Sequence, residues 1–123
     1  MATLKILPAA LDVELFKGCT LDFTLLYQNF DDDGNPIDPV DLSGYSATMT
    51  LKSMDLASTY QTLTDGNGGI VLGGTDGTIR PRVAANVTSG WTFDKAVLSL
   101  ELTDPGGNVT PVVFGTLFLV SKL

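Results

Sequence analysis

Apolar and polar residues alternate along much of this chain. The alternation is clearest from Ala96 to Val120, AVLSLELTDPGGNVTPVVFGTLFLV. Ala96, Leu98, Leu100 and Leu102 interleave with Val97, Ser99, Glu101 and Thr103, the period of two expected of a strand with one buried face. Asp104-Pro105-Gly106-Gly107-Asn108 is turn chemistry, because proline presets one φ and glycine tolerates positive φ. From Val109 the chain returns, apolar on both faces between Val112 and Val120 except at Gly115 and Thr116. The pattern predicts a long hairpin as the spine of the fold.

The same reading extends upstream. Residues 1–11 form an arm in which Leu4, Ile6, Leu7 and Leu11 surround Pro8, and residues 12–123 form a single domain. Asp12 to Phe16 is a short strand, followed by a turn at Lys17-Gly18. Thr20 to Tyr27 is the next strand, with Leu21, Phe23, Leu25 and Tyr27 inward. Gln28 to Leu42 reads as a long polar connection. Tyr45 to Lys52 is a strand with Tyr45, Ala47, Met49 and Leu51 inward, and Thr59 to Thr64 is a weaker one. Ile70 to Leu72 is short, bounded by glycine-rich turns. Thr78 to Val83 is assigned to an edge strand or a strand end, because Pro81 cannot donate to a central ladder. Ala84 to Gly90 is one helical turn crossing between sheets, and Trp91 plugs the core. About seven strands separated by glycine-rich turns, with at most one helical turn, predict an all-β fold. The architecture expected is a two-sheet Ig-like β-sandwich without the paired cysteines of antibody domains. A small closed barrel is the alternative.

The last strand has a consequence for assembly. Phe114, Phe118 and Val120 lie on one face, and Val113, Leu117 and Leu119 on the other. A strand in a two-layer sandwich buries one face only. With Phe114 and Phe118 taken as inward, Val113, Leu117 and Leu119 form a sticky outer patch. That patch is predicted to be a subunit interface, joined by Leu4, Ile6 and Leu7 of the arm; a local cover by the arm is the alternative.

Composition narrows the function. The 123 residues carry 7 Lys and Arg against 14 Asp and Glu, a net charge of −7. Such a surface repels phosphate backbones and anionic membranes, so neither nucleic acid nor membrane is expected as a partner. No apolar run approaches the ~20 residues that span a bilayer, and Lys5 and Pro8 interrupt any signal-peptide pattern at the N-terminus. Production in the cytoplasm is the expectation. The single cysteine, Cys19, can form no intrachain disulfide and reads as a buried small hydrophobe.

Catalytic chemistry has few candidates. The absence of histidine removes Ser-His-Asp and Cys-His sites and most zinc sites. The glycine runs lack the Gly-Lys-Ser/Thr ending of a phosphate loop. The two glutamates, Glu14 and Glu101, make no acid pair for glycoside hydrolysis, and the aromatics form no sugar-stacking row. Asp31, Asp33 and Asn35 stand at positions 1, 3 and 5 of an EF-hand-like loop, but Pro36 and Leu42 occupy the glycine and glutamate positions. Calcium in a different loop geometry, with Asp38 or Asp41, is the alternative to a solvated turn. The expectation is no enzyme, no cofactor and no metal.

The order and spacing of the motifs resemble a known family. They are Leu11 to Leu25 (LDVELFKGCTLDFTL), Asp33-Gly34-Asn35-Pro36-Ile37, Val40 to Ala47 (VDLSGYSA), Gly69-Ile70, Asp76-Gly77-Thr78-Ile79, Leu98 to Val109 (LSLELTDPGGNV) and Gly115-Thr116. Together they resemble short tailed-bacteriophage virion proteins with an Ig-like fold, related to the N-terminal domain of phage baseplate upper proteins. The family often has Gly-Asp-Thr where this chain has Gly18-Cys19-Thr20. The larger baseplate proteins continue into a receptor-binding or fibre region, whereas this chain ends at Leu123. The resemblance therefore implies a virion structural protein, an adaptor subunit of the baseplate or tail-fibre attachment region. Its partners would be other virion proteins and copies of itself. A capsid decoration protein is the alternative within that class, and a carbohydrate- or calcium-binding surface module is the alternative outside it.

Overall fold

The structure is a computed structural model that describes residues 9–120. The predicted hairpin is its spine: β10 (Lys95–Thr103) and β11 (Val109–Val120) pair antiparallel. Ala96, Leu98, Leu100 and Leu102 are all buried, as their alternation requires. Around the hairpin lie β1 (Ala9–Phe16), β6 (Ser46–Lys52) and β7 (Thr59–Thr64), giving a five-stranded sheet in the order β1-β11-β10-β6-β7. β1 pairs with β11 in parallel, so residues 9–11 belong to a strand rather than to an arm.

The second sheet is built on β9 (Thr78–Val83). β8 (Ile70–Leu72) pairs along one side of it. β2 (Leu21–Asp22) and β3 (Leu25–Leu26) follow one another along the other. β9 is thus central, and Pro81 lies inside it, so it is neither the edge strand nor the strand end expected from the proline. The proline acts differently: β2 stops at Asp22, opposite Arg82, and β3 resumes at Leu25, opposite Ile79. The ladder is broken where Pro81 has no N–H to give. Phe23 crosses the gap, its N–H reaching the Pro81 carbonyl at 3.4 Å.

Leu21, Ile70, Ile79 and Val83 of this sheet share one buried cluster with Met49, Leu51, Leu98 and Leu100 of the other. The result is an all-β sandwich. One sheet is an antiparallel core extended by β7, with β1 added in parallel beside β11; the other centres on β9, and this is the strand distribution of the immunoglobulin type. β1 and β7 each have a single neighbour in the five-stranded sheet, which excludes the closed barrel. The crossing turn is α1 (Ala85–Thr88). Thr88 is fully buried, and its hydroxyl donates to the Cys19 carbonyl at 2.7 Å, tying α1 to the β1–β2 turn. Trp91, just beyond, is buried as expected.

The polar connection holds one more element than the sequence shows. β4 (Gln28–Phe30) and β5 (Pro36–Pro39) form a small hairpin around the acidic turn. It is anchored where Tyr27 N–H donates to the Gly77 carbonyl at 2.8 Å and Val40 N–H donates to the Tyr27 carbonyl at 2.9 Å. Leu42, at the end of the connection, is buried in the core.

β11 departs from the predicted facing, and the cause is a bulge. Leu100 pairs with Val113 but Glu101 pairs with Pro111, so Val112 is an extra residue without a partner. One inserted residue reverses which residues point inward from there on. Val112 and Val113 are both buried, after which Leu117 is fully buried and Leu119 half-buried. Phe114 and Phe118, expected in the core, point outward instead.

Candidate interaction surface

The bulge turns large apolar side chains of β11 to the surface. Phe114 is 58% exposed, Phe118 36% and Val120 37%, all on the outer face of β11. Phe16, 47% exposed, stands beside Val120 as its register partner on β1. These four side chains, with Thr116 between Phe114 and Phe118, form a mainly apolar column near one edge of the five-stranded sheet. Mostly polar groups flank it. Glu14 and Lys95 lie on either side of Phe118, and Asp12 and Val97 on either side of Thr116. Lys52 of β6 continues that second row beyond Val97. Further across, Thr50 and Ser99 join hydroxyls at 2.8 Å, and the face becomes polar.

The interface residues expected from sequence are therefore corrected. Val113 and Leu117 are buried in the chain's own core, and Leu119 packs against it. Leu4, Ile6 and Leu7 lie outside the described residues. The reasoning that one face of β11 must be left over holds; the bulge changes which face it is.

The outer face of the second sheet is of another character. Asp22 accepts two hydrogen bonds from Arg80, at 2.8 Å from Nε and 2.7 Å from an η nitrogen, with Arg82 at 3.7 Å. The Arg80 guanidinium holds the Asp22 carboxyl below its ordinary range. This exposed pair links β2 to β9 beside the break at Pro81 and is worth little in stability.

Asp31, Asp33 and Asn35 come together in a turn that closes on itself. The N–H groups of Asn35 and Asp33 donate to Asp31 Oδ1 at 2.9 and 3.0 Å, and the first of these is the main cause holding the Asp31 carboxyl below its usual range. One Asp31 oxygen is thus turned into the loop. Among the described residues no three acidic, histidine or cysteine side chains converge as a metal-binding group.

One further reading is corrected. Cys19 is exposed, not buried, because it falls in the turn between β1 and β2, where its N–H donates to the Phe16 carbonyl at 3.0 Å. The aromatics also cluster more than the sequence shows. Tyr60 stacks on Phe93 with centroids 4.4 Å apart and planes 6° from parallel, and Phe93 meets Trp91 at 5.1 Å. Tyr60 is the unpaired residue of a second bulge, where Leu51 pairs with Gln61 but Lys52 with Thr59. The two rings occupy one another's faces, and Trp91 is in the core, so the cluster braces the sheet rather than presenting a row of open rings.

Comparison with known proteins leaves the surface to speak for itself: no family model and no curated protein matches the chain. Among the described residues, no helix is long and apolar enough to cross a membrane.

Proposed function

We propose that this protein is a structural subunit of a tailed-phage virion, an assembly adaptor at the baseplate or tail-fibre attachment region, and that it performs no catalysis. The observation that carries the reading is the apolar column of Phe16, Phe114, Phe118 and Val120 on an otherwise polar sheet. A mainly apolar stripe, interrupted at Thr116 and flanked by charged side chains, is the form of a protein-binding site rather than of a catalytic cleft. The virion setting comes from the motif resemblance. Two of the motifs that carry it meet in space: a Cβ placed at Gly44 would lie 3.1 Å from Pro105 of the β10–β11 turn.

The test is incorporation. Particles are purified from cells producing the wild-type protein or a Phe114→Ser/Phe118→Ser variant, and bound protein is quantified by mass spectrometry. The wild type should be present at a few to tens of copies per particle. The variant should remain folded by circular dichroism yet be missing. Absence of the wild type from particles, or normal incorporation of the variant, overturns the reading. A copy number in the hundreds moves the protein to capsid decoration.

A further inference from the structure

We propose that the occupant of this face is a second copy of the same chain, related by a two-fold axis that lies along β11. The inference rests on the reading above that the face is an interface. It adds which partner fills the face and how that partner is oriented.

The charge pattern carries it. Glu14, Phe118 and Lys95 form one cross-strand row on three adjacent strands. Neighbouring strands lie about 4.8 Å apart, so acid and base flank the aromatic at nearly equal distances. A two-fold axis parallel to β11, placed between two such faces, leaves position along the strand unchanged and exchanges left with right. Phe118 then meets Phe118 of the second copy, and Glu14 meets Lys95. The same operation brings Asp12, one row along, opposite Val97 and within the neighbourhood of Lys52 and Lys95. Facing sheets pack about 10 Å apart with strand directions within about 30°. Glutamate and lysine side chains reaching from both sides can close that gap. The arrangement forms two Glu14–Lys95 pairs around a shared column of phenylalanines. An unrelated partner would have no need of an acid and a base symmetrically placed about that column.

The experiment uses the full-length protein in sedimentation equilibrium over a wide concentration range. The wild type should dimerise reversibly. Glu14→Lys and Lys95→Glu should each weaken the dimer by about tenfold or more, since each sets like charges opposite one another. The double variant should recover to within about threefold of the wild type, because exchanging both partners restores the pairing. All variants are checked for wild-type unfolding transitions. A monomeric wild type overturns the proposal and leaves the face to another virion protein or to the first eight residues of this chain. A double variant no better than the single ones overturns this geometry. These results are separable from the function proposed above. A monomer whose Phe114→Ser/Phe118→Ser variant is missing from particles sinks self-pairing alone, whereas a dimer whose variant is incorporated normally sinks the assembly role.

Discussion

Gly115 sits in the middle of β11, where the parallel strand β1 comes closest. A Cβ built there would overlap the carbonyl group of Leu11, its register partner. The glycine is required by proximity and not by its own backbone angles. Gly115→Ala should therefore push β1 away from the sheet. Overpacking of this kind typically costs ~1–3 kcal/mol, and urea denaturation should show a loss of that order. Amide hydrogens of β1 should exchange earlier than those of β10 in the variant. Wild-type stability in Gly115→Ala would mean that β1 does not lie against β11 at this register.

The β11 bulge decides, at the level of the element, which side chains build the core. Leu117 is fully buried and Phe118, its neighbour in sequence, points out. Leu117→Ser should cost several kcal/mol, of the order of ~3, because it removes a buried side chain and inserts a hydroxyl. Phe118→Ser should cost about 1 kcal/mol or less, as an exposed substitution. Equal losses at the two positions, measured by thermal unfolding, would refute this division of faces. Strict alternation from Val109 onward predicts the reverse. Residues 112–120 are nearly all apolar, so parity along that run is not visible in the sequence, and Pro111 is the only hint that a bulge resets it. Where one face is polar, the sequence reads well: β6, β7, β8 and β10 fall within a residue of their expected bounds. The β4–β5 hairpin escapes because both strands are short and β5 is half proline, and the Tyr60–Phe93 stack escapes because it joins distant segments through a second bulge. Two of the motifs singled out in the sequence are turns that stabilise themselves. In one, Asp104 accepts the Asn108 N–H at 2.9 Å, and in another Asp41 accepts the Ser43 N–H at 2.9 Å. This is why they locate the fold more firmly than the site.

Several of these turns share one electrostatic device, and it predicts how the whole molecule responds to acid. Asn108 N–H groups hold Asp104 below the usual carboxylate range, Asn35 does so for Asp31, the hydroxyl of Ser43 for Asp41, and that of Ser53 for Asp55. Arg80 does the same for Asp22. In each case the folded-state pKa lies below the unfolded one. The stability each aspartate contributes is fully present above the unfolded value, about 4. It is lost as the pH falls through the folded-state value. A second effect opposes this: the net charge of −7 is self-repulsive, and protonation relieves it. Relief acts on every carboxylate, but the hydrogen bonds are local and each is lost outright. The melting temperature should therefore stay level or rise slightly from pH 7 to about 5, and then fall below about pH 4. Asp104→Asn keeps an oxygen for the Asn108 N–H but removes the titration, so its acid limb should be shallower than that of the wild type. Calorimetry across this range decides between the two effects. A wild-type melting temperature that keeps rising down to pH 3 would show that charge repulsion, and not the self-closing turns, governs this fold in acid.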